Sequence, residues 1–337
     1  MSELASEFAT TLHDMLGAAD VPAAARRWAD GDQAPGLMLW RRLANLGVTA
    51  LAVPEKWGGL GASPADLVAA CAELGHHAVP GPVAESLAAV PALLAALDEA
   101  EPRAEWFAGL VTGDLIATLA VPPWLPFAAD AEATGLVLLA EPDVIWAART
   151  GARQQSVDPA RSLFSVTGHD VVARGTGAAL ARAFDLGVLA CSAQLLGAGR
   201  ALLEASVRHS KMRAQFGLPV GAFQAVKHKL ADVAIGLEFA RPLLDAAAVA
   251  IADGSATVHR DVSAAKVACA DAAYLAARAA LQVHGAIGYT AEFDLSLWLT
   301  KVRALVPAWG SQTEHRQRVL AALTGSPAPA SGRLPWT

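Results

Sequence analysis

The sequence predicts a mainly α-helical protein with a small β domain at its centre. Helical periodicity, seen in apolar positions such as Leu39, Leu43 and Leu46, extends to about residue 110 and returns after about residue 178. Between these regions, short β-rich runs are separated by five prolines. At 337 residues the chain is longer than one hydrophobic core usually supports. We therefore predict an N-terminal helical domain over 1–112, a β domain over 113–174, a four-helix bundle over 175–324 and a flexible tail over 325–337.

One glycine-rich loop interrupts the first helical region. It reads Val53-Pro-Glu-Lys-Trp-Gly-Gly-Leu-Gly61 and precedes a helix that ends near Gly75. Glycine adopts backbone conformations that other residues avoid, so the run indicates a turn between two helices. We interpret this loop as architectural.

The β domain and the bundle follow in order. Three runs in the β domain are typical of strands and cover residues 115–121, 136–139 and 163–166. The bundle is predicted to begin with two long helices joined by a tight turn that holds Pro219 and Gly221. Two further helices, predicted over about 255–283 and 311–323, complete it.

The composition excludes several classes of protein. Apolar residues make up 54% of the chain, but no apolar run is predicted to reach the roughly 18–20 residues that span a bilayer, so we predict no membrane insertion. The acidic first residues lack the features of a signal peptide. A net charge of −6, with basic residues spread along the chain, argues against nucleic acid as a partner. Cys71, Cys191 and Cys269 lack metal-ligand spacing, which indicates reduced core residues in a cytoplasmic protein.

The first motif that carries chemistry is Arg213-Ala-Gln-Phe-Gly217, followed by Phe223 and Gln224. A guanidinium suits a pyrophosphate, because its planar fork donates two parallel charge-assisted hydrogen bonds to phosphate oxygens. Gln215 and Gln224 would add neutral donors. In isolation the pattern is equally typical of a surface loop after a helix.

The second motif is Gln282-Val-His-Gly-Ala-Ile-Gly-Tyr-Thr290. Gly285 and Gly288 allow the backbone to approach a ligand closely, and Gln282 and His284 stand just before that turn. Alone, this pattern is also typical of an ordinary helix C-cap and turn. Together and in this order, on either side of a long helical pair, the two motifs resemble the flavin-binding turns of acyl-CoA dehydrogenases.

The resemblance to the acyl-CoA dehydrogenase family covers nearly the whole chain and is strongest over 178–320; the glycine-rich loop is a third point of similarity. It implies the family's fold, an N-terminal helical domain, a β domain and a C-terminal four-helix bundle. It also implies FAD as cofactor and an acyl-CoA thioester as substrate. In such enzymes a carboxylate removes a proton from the α carbon while a hydride passes from the β carbon to the flavin.

The resemblance also assigns FAD-binding residues by position. They are implied to contact the adenosine and pyrophosphate of FAD across a dimer interface, and so to serve the active site of a neighbouring subunit. These residues are Arg213, Gln215, Phe216, Phe223, Gln224, Gln282, His284 and Gly285, with Ala214 beside them.

The family's catalytic base is missing at both of its possible positions. The commoner position, before a Gly-Ser or Gly-Thr step, is occupied here by Trp309, and the alternative on the first long bundle helix is Gly187. Asp185 is near Gly187 in sequence but is expected to point away from the site, and we interpret it as a first-turn helix carboxylate. Glu314 is interpreted as a solvated helix residue. No catalytic residue is therefore predicted.

The β domain also departs from the family. The segment that normally holds the flavin ring is replaced by 118–127, which contains Trp124 and several prolines. Trp124 and Trp146 could stack on a flavin, but tryptophan in such a domain is more often a packing residue. The chain keeps the residues that contact FAD across the subunit interface, but it lacks the base and the segment that holds the flavin ring. In this it resembles the shorter subunit of actinobacterial heterotetrameric acyl-CoA dehydrogenases of steroid side-chain degradation.

Three functions follow from these features. The chain is predicted to be the non-catalytic partner in an α2β2 acyl-CoA dehydrogenase, with a longer subunit that carries the glutamate base. The alternatives are a self-sufficient dehydrogenase with an unrecognised base, and a flavin-free scaffold of the same fold. Loss of both base positions counts against the first alternative, and retention of Arg213, Gln215, Gln224 and Gln282 counts against the second.

Overall fold

The structure is a computed structural model that describes residues 3–97 and 103–325. It confirms the predicted fold class, since helices dominate and a small mixed sheet lies between two helical regions in the sequence. The predicted flexible tail, apart from Gly325, lies outside the described residues.

In the first helical region, side-chain caps start two of the described helices, at Asp20 and at Ser63. Ser63 caps the helix Pro64–His76 by accepting a hydrogen bond from the backbone N–H of Asp66, whose carboxylate accepts in return from the backbone N–H of Ser63. In the glycine-rich loop, a Cβ added to Gly59 would lie 2.0 Å from the carbonyl oxygen of Val53, so the loop is closed by backbone packing. The described helices of this region are α1 (Glu3–Gly17), α2 (Val21–Ala29), α3 (Ala34–Asn45), α4 (Pro64–His76), α5 (Val90–Ala96) and α6 (Arg103–Thr112).

The β domain is one five-stranded sheet in the order β1-β3-β4-β5-β2, in which only β1 and β3 pair in parallel. Its strands are β1 (Ala117–Ala120), β2 (Ala128–Ala129), β3 (Leu136–Glu141), β4 (Val144–Gln154) and β5 (Leu163–Arg174). The sequence analysis placed β1, β3 and the start of β5 but missed the short β2 and the long β4. Residues 149–153 of β4 are all exposed, so both faces of the strand meet solvent there and the apolar–polar alternation that marks a strand is lost.

The second helical region is built around α7 (Gly177–Met212), α8 (Gln224–Ala252) and α9 (Val258–His284), with α10 (Leu295–Leu305) and α11 (Gln312–Thr324) packed on them. The sequence analysis did not predict α10. The turn predicted between the two long helices is a small hairpin of β6 (Ala214–Gln215) and β7 (Leu218–Pro219).

Helix α7 passes through the core of the protein. A Cβ added to Gly75 of α4 would lie 2.1 Å from the carbonyl oxygen of Gln194, and one added to Gly197 would lie 1.8 Å from that of Ala72. The two backbones are therefore in direct contact, which fixes α7 against the N-terminal region. Among the described helices, α7 alone is long and apolar enough to span a bilayer, and the sequence analysis overlooked this. The most apolar part of the helix is 89% buried inside the protein.

Candidate functional site

The Arg213 motif forms the β6–β7 hairpin directly after α7. The backbone N–H of Val220 donates to the carbonyl oxygen of Arg213 at 2.8 Å and closes the hairpin. Phe216 lies at the tip with φ 55°, in the left-handed region, and its side chain is 90% exposed. The hairpin therefore presents Arg213 and Gln215 to solvent.

The guanidinium of Arg213 has no hydrogen bond or ion pair with any other described residue. Phe223 is the N-cap residue of α8, and Gln224 is the first residue of that helix. The ring of Phe223 lies 6.3 Å from that of Phe216. The first turn of a helix has unpaired N–H groups and the positive end of the helix dipole. An exposed guanidinium near such a helix start is suited to a phosphate.

The second motif lies at the end of α9. Gly285 has φ 66° and ψ −144°, and a Cβ added there would meet no atom within 4 Å. His284 is buried; its Nδ1–H donates to the carbonyl oxygen of Ala280, and its ring lies 4.2 Å from that of His209 on α7. Burial lowers the pKa of both imidazoles, so both are neutral at pH 7.

The contact between the tilted rings of His209 and His284 places the ends of α7 and α9 side by side. Since the backbone N–H of Arg213 donates to the carbonyl oxygen of His209, both motifs lie at the same end of the bundle. Seven of the eight predicted FAD-binding residues are exposed there, and only His284 is buried.

Gly187 and Trp309, which occupy the two positions where the resemblance predicts a base, are far apart in sequence but face each other in the structure. Gly187 lies in the buried part of α7, and Trp309 lies between α10 and α11 with 1% of its surface exposed. A Cβ added to Gly187 would lie 2.4 Å from Cη2 and Cζ3 of Trp309. The indole therefore occupies the space that a side chain at position 187 would take.

Trp124, from the departing segment of the β domain, packs into the same region. Its ring lies 5.4 Å from that of Phe184, which lies 5.6 Å from the ring of Trp309, and a Cβ added to Gly310 would lie 2.5 Å from Trp124. We call Trp124, Phe184 and Trp309 the aromatic plug. The three places where the sequence departs from the family thus meet in one packed cluster that contains no carboxylate base.

Two buried groups hold the segment that carries Trp309. The Nζ of Lys266, fully buried on α9, donates to the carbonyl oxygen of Leu305 at 2.7 Å. The Nε2–H of His315 donates to the carbonyl oxygen of Trp309 at 2.9 Å, and its Nδ1 accepts from the hydroxyl of Ser263 at 3.1 Å. Burial holds the pKa of His315 well below its usual value, which keeps the ring neutral. The carbonyl oxygen of Trp309 can only accept, so the hydrogen of the neutral ring is on Nε2.

Asp185 corrects one interpretation made from the sequence. It is not a first-turn carboxylate, because α7 begins at Gly177 and the side chain is only 2% exposed. One oxygen lies 3.3 Å from Nη2 of Arg318, and the other is hydrogen-bonded to Nδ1 of His259. Both oxygens are engaged, so Asp185 anchors α7 to α9 and α11 and is not a free base.

Glu314 and Trp146 also have structural roles. Glu314 is half-buried rather than fully solvated, and its carboxylate accepts from the backbone N–H of Ser311 at 2.7 Å as part of the capping box of α11. Trp146 lies on β4, where its Nε1–H donates to Glu141 at 2.9 Å. Trp124 is 3% exposed, so the packing interpretation of that residue is confirmed.

The sequence analysis missed the partners of Asp185. Arg318 is 8% exposed, donates to Ser263 at 3.0 Å, and lies 5.6 Å from the ring of Trp124. No local pattern marks it, because its partners come from other helices and the β domain.

Known proteins resemble this chain over most of its length. Residues 2–114 match the acyl-CoA dehydrogenase N-terminal domain, and residues 173–324 match the acyl-CoA dehydrogenase C-terminal domain. The acyl-CoA dehydrogenase IpdE2 of Mycolicibacterium smegmatis is 30% identical over 286 residues, which cover 84% of this chain and 87% of IpdE2.

Two solved structures have the same fold. A chain of the ChsE4–ChsE5 complex from Mycobacterium tuberculosis superposes with a TM-score of 0.85 at 22% identity, covering 97% of this chain and 99% of that one. A chain of the Tcur3481–Tcur3483 steroid acyl-CoA dehydrogenase G363A variant gives 0.82 at 22% identity, covering 96% and 98%. The matched domains and the relative that aligns over most of both sequences show that this chain belongs to the acyl-CoA dehydrogenase family of oxidoreductases.

Proposed function

We propose that this chain is the non-catalytic subunit of a heterotetrameric, FAD-dependent acyl-CoA dehydrogenase, in which a longer subunit carries the glutamate base. The contact between Trp309 and Gly187 carries this proposal. The indole of Trp309 occupies one base position and also the space that a side chain at the other base position, Gly187, would take. A general base acts only where it reaches the proton that it removes. This chain offers no carboxylate at either position, so the reaction requires a base from a partner.

The exposed motifs fit the pyrophosphate and adenosine of FAD. The guanidinium of Arg213 is unpaired within the described chain, the start of α8 adds N–H donors, and Gly285 leaves open space for a close approach. When bound, FAD supplies the acceptor for the hydride that leaves the β carbon of the acyl-CoA. The residues of this chain would hold the cofactor and orient it.

The aromatic plug does not fit the flavin ring. Trp124 lies in the segment that would hold the flavin ring, and it packs against Phe184 instead. This chain therefore offers contacts for the pyrophosphate and adenosine of FAD but no site for its flavin ring. We infer that the Arg213 and Gln282 motifs serve a flavin whose ring is held by the partner. The ChsE4–ChsE5 complex, which shares this fold, supports an assembly of two different chains.

The two alternatives are less well supported. A self-sufficient enzyme needs a base, and Asp185, the carboxylate two residues from Gly187, is bound by Arg318 and His259. A flavin-free scaffold gives no reason for an exposed, unpaired Arg213 beside two exposed glutamines. The first alternative predicts activity of the lone chain, and the second predicts a complex without flavin contacts from this chain.

The substrate class and location belong to the same proposal. The similarity to a steroid acyl-CoA dehydrogenase favours an acyl-CoA whose acyl group is a steroid side chain. Cys71, Cys191 and Cys269 are free and buried, which is in keeping with a reducing cytoplasmic environment.

Co-expression tests the proposal directly. The chain is to be purified alone and together with a longer acyl-CoA dehydrogenase encoded beside it, and the longer subunit is also to be purified alone as the control. We expect the lone chain to be insoluble or inactive and the complex to retain FAD and form enoyl-CoA. Oxidation of acyl-CoA by the lone chain, with one FAD per polypeptide, would instead establish the self-sufficient alternative.

Arg213→Ala is expected to weaken FAD retention by the complex about 10- to 100-fold, because a charge-assisted contact of about 1.5–3 kcal/mol is lost. Arg213→Lys should recover only part of it, since lysine keeps the charge but not the planar fork. Flavin content after dialysis, measured by absorbance against protein concentration, gives the result.

Arg41→Ala is the matched control for this substitution. Arg41 is exposed on α3 and, like Arg213, has no ion pair with a described residue, so its loss should leave flavin content unchanged. If Arg213→Ala retains as much FAD as Arg41→Ala, the assignment of the Arg213 motif to the pyrophosphate is wrong.

A further inference from the structure

Three imidazoles and a carboxylate meet where α1 packs against the C-terminal end of α4. His13 comes from α1, Glu73 and His76 come from the last turn of α4, and His77 follows that helix. One nitrogen or oxygen atom from each of the four residues lies within 4.8 Å of the others. Oε2 of Glu73 is 2.8 Å from Nδ1 of His13, which is 3.3 Å from Nε2 of His77.

The second atoms of two of these residues are held by other side chains. Oε1 of Glu73 lies 3.4 Å from Nη1 of Arg200, and Nε2 of His76 lies 3.0 Å from Oε2 of Glu204. A carboxylate that accepts from one imidazole nitrogen leaves the other nitrogen with its lone pair free. Such pairs orient histidine ligands in metal sites and increase their basicity.

His76 provides an independent sign of a missing ligand. The residue is only 9% exposed, and its Nδ1 is buried without a hydrogen-bond partner in the described chain. A buried nitrogen without a partner is unfavourable unless another group satisfies it. Because Nε2 is the atom that faces Glu204, Nδ1 is the atom left to bind an ion.

We propose that His13, Glu73, His76 and His77 form a binding site for a divalent transition-metal ion of the Zn²⁺ class. Tetrahedral Zn²⁺ places its ligand atoms about 3.4 Å apart, given metal–ligand distances of about 2.0–2.1 Å. Side-chain shifts of about 1 Å therefore convert the observed cluster into a closed four-ligand site. Nitrogen-rich sites of this type also accept Cu²⁺, Ni²⁺ and Co²⁺.

The site would join the N-terminal helix to the rest of the protein. Its ligands come from α1, from α4 and from the residue that follows α4, and Arg200 and Glu204 of α7 support them. The His13 side chain is 44% exposed, which leaves a path for the ion. The site lies outside the aromatic plug and the flavin-binding motifs, so its role is structural and does not depend on the proposed function.

Zn²⁺ titration of chelator-treated protein, alone or in complex with its partner, tests the site. We expect one Zn²⁺ per chain by calorimetry, the absorption of tetrahedral Co²⁺ when cobalt replaces zinc, and a higher melting temperature with Zn²⁺. His13→Ala and His77→Ala should each weaken binding at least tenfold. Glu204→Gln, which alters only the residue that orients His76, should weaken it about 10- to 100-fold.

His169→Ala is the matched control. His169 also pairs with a carboxylate, Asp170 at 3.2 Å, but lies on β5, so its loss should leave the Zn²⁺ affinity unchanged. Because His13 is partly exposed at the surface, His13→Ala should fold as the wild type does, which circular dichroism would verify. The proposal is overturned if the wild type shows no saturable Zn²⁺ binding, or if His13→Ala and His77→Ala bind Zn²⁺ as tightly as His169→Ala.

Discussion

Asp185→Ala is expected to lower the free energy of unfolding by about 3–5 kcal/mol, the range for breaking a buried ion pair from one side. The carboxylate is 2% exposed and lies 3.3 Å from the guanidinium of Arg318. Burial lowers the pKa of Arg318, and Asp185 opposes that effect. Without Asp185 the guanidinium is left charged and buried beside Trp124 and Phe184. Denaturant unfolding followed by circular dichroism measures the difference.

Two further variants show whether burial is the reason for the effect. Asp271→Ala removes an exposed ion pair with Arg316, at 2.8 Å, and should change stability by less than about 1 kcal/mol. The double variant Asp185→Leu, Arg318→Met removes both buried charges and should recover much of the lost stability. If Asp185→Ala is no more destabilising than Asp271→Ala, the buried pair does not anchor the bundle.

Trp309→Glu is expected to leave the lone chain inactive and to destabilise it by about 3 kcal/mol or more. The indole is 1% exposed and fills the space beside Gly187, so the shorter side chain leaves a cavity and a poorly solvated carboxylate. A base contributes only where flavin and substrate lie within reach in a reactive geometry. Enoyl-CoA formation and thermal unfolding measure the two effects. Enoyl-CoA formed by the lone variant would show that the flavin-ring site is intact and would favour the self-sufficient enzyme.

Gly187→Ala gives the control for the packing part of this prediction. Alone it should be destabilising, because its Cβ would lie 2.4 Å from the indole of Trp309. In a Trp309→Ala background the same change should cost much less, since the clashing ring is gone. Additive effects of the two substitutions would show that Gly187 and Trp309 are not coupled.

Periodicity predicted the large elements of the fold and failed for the small ones. The long helices α7, α8 and α9 have clear apolar spacing, so their existence could be predicted. Strand β4 could not, since Arg149 and Arg153 on its exposed part obscure the alternation. Helix α10 was missed because it is short and follows the turn of the Gln282 motif after only a few residues.

The candidate site was predicted in its parts but not in its assembly. Similarity to the family identified Gly187, Trp309 and the segment around Trp124 as departures, each at its own place in the chain. Their mutual contact depends on how α7 packs against the β domain and the α10–α11 connection, which no local pattern encodes. The histidine cluster was missed for the same reason, because His13 is separated from His77 by 64 positions.

The fit of Trp309 against Gly187 has a consequence for how the chain can evolve. A glutamate at position 187 would clash with the indole of Trp309. A glutamate at position 309 would face Gly187, which has no side chain, and would leave part of the volume of the indole empty. The effect of a substitution at either position thus depends on the residue at the other, which is epistasis with a steric origin. Introducing a carboxylate at either position by single mutations therefore passes through an intermediate of reduced stability, and selection for folding alone opposes that step.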